Sequence, residues 1–348
     1  MEKKKLKVAI NGCGRIGRAF LKLSMENEII EVVAVNDLGS LKNIAYLLKY
    51  DSAYGVSNLN ISTDEENLII NDRKIKYLSE RDPSNLPWGA LGIDVVVEST
   101  GAFNDYEKSQ AHIKAGAKRV LITAPVKDSH KSDAPNYGVE GATVLMGINE
   151  EELKTCKISS NASCTTNAGS PVLNILSKAV GIEKAMLNTV HGYTATQKIV
   201  DVTDEKDFRK GRAGAQNIIP STTGAAIATT KVIKELEGSF DGIAVRVPVI
   251  SGSLLDITFI AKRNTSAEEI NDILEKASQD PNWAGVFSVT KEPIVSSDII
   301  GSRFASIADL NFTRVVGGNL VKVLAWYDNE MGYTNTLIRH AIKAGESL

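Results

Sequence analysis

One cysteine stands in a setting that suits nucleophilic chemistry. Cys164 follows Ala162 and Ser163, whose small side chains leave a thiol accessible, and residues 165–180 after it have the pattern of a helix. A thiol in the first turn of a helix lies beside free backbone N–H groups and the positive end of the helix dipole, which favour the thiolate. The same N–H groups can receive the oxyanion that forms when a thiolate attacks a carbonyl carbon. Cys164 is therefore the candidate nucleophile.

A cysteine nucleophile usually needs a base or a cation beside it, and the chain has four histidines. His191 lies where an apolar run ends and a polar loop begins, so it is the candidate base and acid. We expect His112, His130 and His340 to be ordinary solvated or core side chains. Most cysteines are likewise inert small hydrophobic residues, and for Cys164 that alternative stays open on its setting alone.

A glycine-rich turn forms a second candidate site. Gly12, Gly14 and Gly17 make a G-x-G-x-x-G pattern between the apolar run Leu6–Asn11 and the helical pattern Arg15–Met25. In such a unit the glycines permit a tight turn, a close approach of the backbone to a pyrophosphate, and close packing of helix on strand. The helix N-terminus supplies N–H groups for the phosphates. The alternative, a turn that only shapes a strand–helix junction, is disfavoured by this order of elements.

An acidic residue follows the next predicted strand, residues 29–36. Asp37 lies about 20 residues after Gly17, which is the spacing of the carboxylate that accepts hydrogen bonds from the adenosine ribose. A 2′-phosphate at that place would meet a like charge. Asp37 therefore favours NAD over NADP.

Short β-branched segments alternate with helical patterns in the first third of the chain. Val95–Glu98 and residues 119–123 continue the alternation that Leu6–Asn11 begins. Alternating strands and helices predict an α/β fold with a doubly wound parallel sheet, whose buried strands are continuous apolar runs. We therefore expect a dinucleotide-binding Rossmann domain over residues 1–163.

The pattern changes after that point. Residues 240–259 are rich in Val and Ile and predict long strands of a mostly antiparallel sheet. A helix is expected at 231–237, after a stretch rich in Gly and Thr. We therefore predict an α+β catalytic domain over 164–329. The C-terminal segment 330–348 is predicted to include a helix that packs back on the first domain.

Composition excludes several other classes of protein. The 348 residues carry a net charge of −2 without a basic block, so nothing indicates nucleic-acid binding. No apolar run approaches the ~18 residues of a membrane span. The three cysteines are irregularly spaced and form neither a disulfide framework nor, with the histidines, a metal site. A cytoplasmic protein without a metal is expected.

Two segments carry a family resemblance. Residues 160–167, SNASCTTN, followed by HGYT at 191–194, resemble glyceraldehyde-3-phosphate dehydrogenase. The likeness runs nearly from end to end. Its further segments are AING at 9–12, NDL at 36–38, KYDS at 49–52, ESTG at 98–101, IIPSTTGAA at 218–226, RVP at 246–248 and WYDNEMGY at 326–333.

The resemblance implies a phosphorylating oxidation of D-glyceraldehyde 3-phosphate to 1,3-bisphosphoglycerate, as used in glycolysis and gluconeogenesis. Cys164 would form a thiohemiacetal and then a thioester, His191 would move the protons, and inorganic phosphate would release the acyl group. A homotetramer is also implied. One alternative is erythrose-4-phosphate dehydrogenase, whose relatives typically lack the Tyr193-Thr194 pair. Another, a nucleotide- or RNA-binding protein without catalysis, finds no basic stripe in its support.

The resemblance also assigns candidate contacts. Thr194 and Arg246 are the candidate contacts for the substrate phosphate. Thr223, Gly224 and Arg209 are those for inorganic phosphate, with Lys210 the alternative to Arg209. Ser163 and Thr165 lie beside the nucleophile. For Arg246, which interrupts an apolar run, a structural ion pair is the alternative. The implied cofactor contacts are Gly12, Gly14, Arg15, Ile16 and Gly17 at the pyrophosphate, Asp37 at the ribose, Arg81 and Thr123 elsewhere on NAD, and Asn329 at the nicotinamide carboxamide.

The chain departs from the family pattern at four places. Ala168 stands where many members carry a second cysteine, four residues after the nucleophile. Gly192 stands where Ser is commoner. Val202-Thr203 stands where strictly NAD-dependent members often have Leu-Pro, so NADP stays possible. Residues 127–144 form a longer polar loop for which the sequence suggests no role.

Overall fold

The structure is a computed structural model, and it describes residues 5–126 and 141–348. The chain folds into two compact units, one of Met1–Ala162 with Thr334–Leu348 and one of Ser163–Tyr333. His130 and most of the loop at 127–144 lie outside the described residues.

The first unit is built on one large sheet with helices between its strands. The strands are β1 (Leu6–Asn11), β2 (Ile30–Asn36), β3 (Tyr50–Asp51), β4 (Gly55–Val56), β5 (Ile61–Thr63), β6 (Asn67–Ile70), β7 (Arg73–Leu78), β8 (Val95–Glu98), β9 (Arg119–Ile122), β10 (Gly141–Thr143) and β11 (Ile158–Ser160). The helices are α1 (Arg15–Met25), α2 (Leu41–Lys49), α3 (Trp88–Leu91) and α4 (Tyr106–Lys114).

Nine of these strands form a sheet in the order β10-β11-β9-β8-β1-β2-β7-β6-β5. All neighbours from β10 to β7 pair in parallel, and only β6 and β5 are added antiparallel at one edge. The chain leaves β1 toward β2 on one side and returns to β8 on the other. The topological switch point, where open α/β sheets bind ligands, therefore falls between β1 and β8. The predicted doubly wound α/β fold is confirmed.

The second unit holds the second sheet. Its strands are β12 (Ile182–Gly192), β13 (Ile219–Thr222), β14 (Phe240–Val247), β15 (Ser253–Ala261), β16 (Phe287–Thr290), β17 (Ser306–Val316) and β18 (Leu320–Tyr327). Its helices are α5 (Cys164–Val180), α6 (Ala225–Val232) and α7 (Ala267–Ser278), and α8 (Met331–Glu346) begins in this unit and continues into the first. The strand order is β13-β14-β12-β15-β18-β17-β16. Only β12–β14 and β16–β17 pair in parallel, so the mostly antiparallel sheet is confirmed.

The helix predicted at 231–237 is wrong. The chain is helical earlier, over Ala225–Val232, and only a short 3-10 turn at Lys234–Leu236 follows. The Thr223 hydroxyl accepts a hydrogen bond from the backbone N–H of Ala225 at 3.1 Å, which satisfies one of the free donors of the first turn. Alanines after that cap favour the helical state, and the β-branched residues at its other end do not prolong it.

Within the described residues, no helix is long and apolar enough to cross a membrane. The same part of the chain has no group of three or more His, Cys, Asp or Glu side chains placed to hold a metal ion.

Candidate active site

The candidate nucleophile is held at the first residue of α5. Ser163 caps this helix, because its side-chain oxygen accepts the backbone N–H of Thr166 at 3.1 Å and lies 2.8 Å from the Thr166 hydroxyl. The preceding residue, Ala162, has a φ of 53°, a left-handed conformation that non-glycine residues seldom adopt. Cys164 itself is half-buried. The cap at Ser163 and the left-handed backbone at Ala162 together place Cys164 at the first residue of the helix.

The thiol faces the candidate base. Cys164 Sγ lies 3.4 Å from Nε2 of His191, which is buried near the end of β12. This is hydrogen-bonding distance for sulfur, so a proton can pass between the two atoms without movement of the backbone. The structure therefore brings the two candidate catalytic residues into direct contact.

A third member of the cluster comes from the neighbouring strand. β12 and β14 are parallel, and their register places Arg246 opposite His191. Arg246 Nη1 lies 2.5 Å from His191 Nδ1 and donates to the Gly192 carbonyl at 3.1 Å. No carboxylate in the described part of the chain pairs with this guanidinium, and its buried Nε has no hydrogen-bond partner there. The alternative of a structural ion pair thus finds no partner.

Two groups face Nδ1 of His191 and make opposite demands on it. The Gly192 carbonyl oxygen at 2.7 Å can only accept, whereas Arg246 Nη1 at 2.5 Å can only donate. A proton on Nδ1 satisfies the carbonyl and leaves the lone pair of Nε2 directed at Cys164, and a proton on Nε2 lets Nδ1 accept from Arg246. In the first of these tautomers the imidazole is a base aimed at the thiol.

The electrostatics leave both groups uncharged. Burial raises the pKa of the Cys164 thiol above its usual value, although the Arg246 charge and hydrogen bonds from Thr165 act in the other direction. Burial, reinforced by Arg246, lowers the pKa of His191 to about 3. The N-terminus of α5 therefore does not by itself give a standing thiolate. The pair is a thiol beside a neutral imidazole until the proton moves.

Tyr327 supports this cluster and was not predicted from the sequence. Its buried hydroxyl lies 3.0 Å from that of Thr165 and 2.7 Å from that of Thr189. Its ring meets His191 edge-on, with 5.9 Å between the ring centroids. Burial also raises the pKa of Tyr327, so the phenol stays neutral. Its place in the matching segment WYDNEMGY was the one available signal, and it did not indicate this role.

The other predicted anion contacts lie on separate turns of the second unit. The Thr194 hydroxyl lies 2.9 Å from that of Thr196 and donates to Gln197 Oε1 at 3.3 Å. Thr223 and Gly224 precede α6, and Gly224 has open space where a side chain would stand. Arg209 is exposed in a short 3-10 helix and its guanidinium pairs with no described residue. No hydrogen bond in the described parts joins these groups to Cys164, His191 or Arg246.

Gly192 lies close to the backbone of the segment after β14. A Cβ at this position would lie 3.0 Å from the carbonyl oxygen of Val249 and 3.5 Å from the backbone of Ser251. The segment that follows β14 thus passes too close for a larger residue to be accommodated without a shift.

In the first unit, the glycine turn has the shape that a dinucleotide needs. Gly12 has a φ of 94°, and a Cβ there would lie 2.7 Å from the Thr100 backbone nitrogen. A Cβ on Gly17 would collide with the Gly12 carbonyl, whereas Gly14 has nothing within 4 Å of that position. The turn is therefore closed on two sides and open at Gly14. The first N–H groups of α1, including those of Arg15 and Ile16, lie at this open side, where the N-terminus of a helix suits a phosphate.

Asp37 lies beside this turn. Its two carboxylate oxygens accept the backbone N–H groups of Cys13 and Gly39, each at 2.7 Å. Each oxygen can accept a further hydrogen bond, as a ribose hydroxyl would require. The Arg15 side chain pairs instead with Asp51 at 2.7 Å. Backbone donors, an open glycine and a half-buried carboxylate fit a dinucleotide.

The remaining predicted cofactor contacts are less constrained. Arg81 is exposed. Thr123 is half-buried directly after β9, and its backbone N–H donates to the Glu98 carbonyl at 3.0 Å. Asn329, which follows β18, is buried and tightly held by its neighbours.

The first unit carries a doubly wound sheet with a dinucleotide turn, and the second carries a thiol aimed at an imidazole. Together they define the class of dinucleotide-dependent dehydrogenases that act through a cysteine. Two family models match the chain. Residues 6–106 match the glyceraldehyde 3-phosphate dehydrogenase NAD binding domain, and residues 163–329 match the C-terminal domain of the same family.

Several relatives are similar over almost their whole length. Glyceraldehyde-3-phosphate dehydrogenase of Streptomyces coelicolor is 43% identical over 99% of both chains, and that of Geobacillus stearothermophilus is 43% identical over 96% of both. Glyceraldehyde-3-phosphate dehydrogenase 1 of Kluyveromyces lactis is 43% identical over 96% of this chain and 98% of its own. This chain belongs to the glyceraldehyde-3-phosphate dehydrogenase family and is an NAD-dependent oxidoreductase. The resemblance and the cofactor NAD predicted from the sequence are confirmed.

Proposed function

We propose that this chain oxidises D-glyceraldehyde 3-phosphate to 1,3-bisphosphoglycerate with NAD and inorganic phosphate. The observation that carries the proposal is the 3.4 Å contact between Cys164 Sγ and His191 Nε2, with Arg246 beside it. Cys164 is the nucleophile and His191 the base and acid. Residues 1–163 form the dinucleotide-binding domain, residues 164–329 the catalytic domain, and the helix within 330–348 returns to the first.

The first step makes a covalent adduct. His191 Nε2 takes the proton of the Cys164 thiol, and the thiolate sulfur attacks the aldehyde carbon. A C–S bond forms while the carbonyl π electrons move to oxygen. His191 returns the proton to that oxygen, which gives a thiohemiacetal and a neutral imidazole. The backbone N–H groups at the start of α5 stabilise the negative oxygen on the way.

The second half of the reaction releases an activated acyl group. NAD, when bound, supplies the hydride acceptor for the oxidation. As the carbonyl of the thioester forms, His191 Nε2 accepts the hydroxyl proton. Inorganic phosphate then attacks the thioester carbon, the C–S bond breaks, and Cys164 leaves as a thiolate that His191 reprotonates. The thioester preserves oxidation energy that direct hydrolysis would lose.

Arg246 links substrate binding to this proton transfer. Its charge lowers the pKa of His191, so a substrate phosphate that takes up the charge makes the imidazole a stronger base. The same charge lowers the pKa of the Cys164 thiol, so the substrate phosphate acts on both partners of the proton transfer. Thr194 contributes a hydroxyl to the same phosphate. Thr223, Gly224 and Arg209 receive the attacking phosphate, with Ser163 and Thr165 beside the nucleophile.

Most of the proposed cofactor contacts belong to the first unit, and Asn329 belongs to the second. The pyrophosphate binds at the amides of Arg15 and Ile16, where Gly14 leaves the turn open, and Asp37 binds the adenosine ribose. Its carboxylate makes NAD the preferred cofactor, with NADP the weaker substrate. Arg81, Thr123 and Asn329 complete the NAD contacts. We also propose that the enzyme works as a homotetramer in the cytoplasm, as the family resemblance implies.

The test is the formation of NADH from glyceraldehyde 3-phosphate with and without inorganic phosphate, repeated with NADP and with erythrose 4-phosphate. We expect activity that depends on phosphate, prefers NAD and prefers the three-carbon aldehyde. Oxidation that proceeds equally well without phosphate would contradict the acyl-phosphate mechanism. Preference for the four-carbon substrate would instead support an erythrose-4-phosphate dehydrogenase.

A further inference from the structure

The amide of Asn329 is fixed in one of its two possible orientations. Its Oδ1 atom accepts hydrogen bonds from the Ser253 hydroxyl at 2.9 Å and the Gly252 backbone N–H at 3.2 Å, with the Ser251 hydroxyl at 3.4 Å. A backbone N–H can only donate, so the amide atom that faces it must be the oxygen. Among the described residues, nothing accepts a hydrogen bond from Nδ2. Asn329 therefore presents a donor and no acceptor.

Ser253 joins this amide to the strand that carries the base. β12 ends beside the start of β15, where Val190 pairs with Leu254. The buried hydroxyl of Ser253 accepts the N–H of Gly192 at 3.2 Å and donates to Asn329 Oδ1 at 2.9 Å. Because the Ser253 oxygen accepts the N–H of Gly192, the hydroxyl's own proton is available to donate to Asn329 Oδ1. On its other side, the Gly192 carbonyl binds His191 Nδ1.

A single hydroxyl thus connects two groups with different tasks. His191 handles protons, and Asn329 offers its N–H to a carbonyl oxygen. The carboxamide of nicotinamide has such an oxygen, and a flipped Asn329 amide would meet it with like partial charge. Loss of the Ser253 hydroxyl would remove the shortest hydrogen bond to Oδ1 and leave the Gly252 N–H at 3.2 Å and the Ser251 hydroxyl at 3.4 Å. It would also leave the buried Gly192 N–H without its acceptor.

We propose that Ser253 is a positioning residue for the cofactor: by linking Gly192 to Asn329, its hydroxyl holds the Asn329 amide with the Nδ2 donor toward the nicotinamide carboxamide. This inference rests on the proposed NAD-dependent function. A merely structural serine would affect the whole binding site equally. A positioning serine affects only ligands that carry the carboxamide.

The experiment compares the binding of two dinucleotides by fluorescence titration of the full chain. One is NAD, and the other is its pyridine analogue, in which hydrogen replaces the carboxamide. The dissociation constant of the analogue divided by that of NAD measures how much the carboxamide contributes to binding. In Ser253→Ala we expect NAD affinity to fall about three- to tenfold, the effect of one hydrogen bond, with analogue affinity unchanged. The ratio then falls by the same factor.

Three further variants complete the design. Ser253→Cys keeps a weak donor and should give an intermediate ratio. In a double-mutant cycle with Asn329→Ala, which removes the amide, Ser253→Ala should have no additional effect on the ratio. Ser306→Ala is the matched control, because Ser306 is a buried serine of the same sheet whose hydroxyl has no hydrogen-bond partner in the described structure. It should leave the ratio unchanged.

Two failures can be told apart. If the unmodified chain binds both dinucleotides equally, or Asn329→Ala does not change the ratio, the proposed cofactor role of Asn329 is wrong. Suppose that Asn329→Ala abolishes the preference for NAD. If Ser253→Ala then lowers the affinity for NAD and for the analogue by the same factor, or changes neither affinity, only the role of Ser253 is overturned. Unchanged affinity for the analogue also shows that a variant is folded.

Discussion

Two buried histidines in this chain have the same electrostatic state and different neighbours. Burial lowers the pKa of both His191 and His340 to about 3. His340, on α8, lies 2.9 Å from the Ser159 hydroxyl and 3.1 Å from Asn161 Oδ1. His191 instead meets a thiol and a guanidinium. A perturbed pKa therefore does not distinguish a site from a core, whereas the chemistry of the neighbours does.

A third histidine extends the comparison. His112 is fully buried between the Glu98 carboxylate, 3.0 Å from Nε2, and the Trp88 indole N–H, 3.0 Å from Nδ1. The indole can only donate, so Nδ1 accepts and Nε2 carries the proton toward Glu98. Both nitrogens of His112 are occupied by groups that cannot exchange a proton with a substrate. His112 and His340 are thus the core histidines that were one of the two expected outcomes.

Removal of the nucleophile should have the largest effect. Cys164→Ala removes the sulfur that faces His191 Nε2 and prevents the covalent adduct, so we expect phosphate-dependent NADH formation to fall at least about ten-thousandfold. The control is Cys156→Ala, since Cys156 is buried in the other unit. Full activity of Cys164→Ala would end the assignment of the nucleophile.

The comparison of histidines is tested directly by a matched pair. His191→Asn should lower kcat about a hundred- to ten-thousandfold, the usual contribution of a general acid–base. His340→Asn should change kcat little, because its neighbours are a serine hydroxyl and an asparagine amide. Equal losses in both variants, with both proteins folded by circular dichroism, would show that burial and not neighbour chemistry governs the effect.

The guanidinium in direct contact with His191 should have an intermediate effect. Arg246→Leu removes a charged donor from the substrate phosphate, and we expect the KM for glyceraldehyde 3-phosphate to rise about ten- to a hundredfold. The KM for NAD should stay near its original value. If only kcat falls and both KM values are unchanged, Arg246 acts on the base and not on the substrate phosphate.

Local patterns predicted the elements that hold the chemistry. β1 and α1 occur over Leu6–Asn11 and Arg15–Met25 as expected, because apolar periodicity and a glycine turn are short-range signals. The helix near 231–237 was misplaced because α6 begins directly after Gly224, where the Thr223 hydroxyl accepts the N–H of Ala225. Propensity alone does not show where such a helix begins.

The contacts that complete the candidate site could not be predicted from spacing. His191 meets Arg246 because two parallel strands lie in one register, and their separation in sequence gives no sign of it. Ser253 meets Gly192 because β15 pairs with β12, whereas Tyr327 on β18 reaches Thr189 two strands away and Thr165 on α5. The sequence showed that Cys164 could be a nucleophile and His191 a base. It did not show the 3.4 Å contact that allows His191 to take the proton of Cys164.

The smallest effect expected concerns acid stability, where the two histidines should behave alike. The folded-state pKa of His340 is about 3, against an ordinary value of 6.5. Below pH 6.5 the unfolded chain therefore binds a proton at this histidine, and the folded chain does not. The free energy of unfolding should therefore fall as the pH falls, by about 1.4 kcal/mol per pH unit for each such histidine, until the pH reaches the folded-state pKa.

His340→Gln removes one of these contributions. Near neutral pH it should cost about 1 kcal/mol for an imperfect hydrogen bond, and as the pH falls below 6.5 the urea midpoints of variant and original chain should converge. Midpoints that stay a constant distance apart would mean that His340 is protonated in the folded chain, and the likeness between the two histidines would be lost.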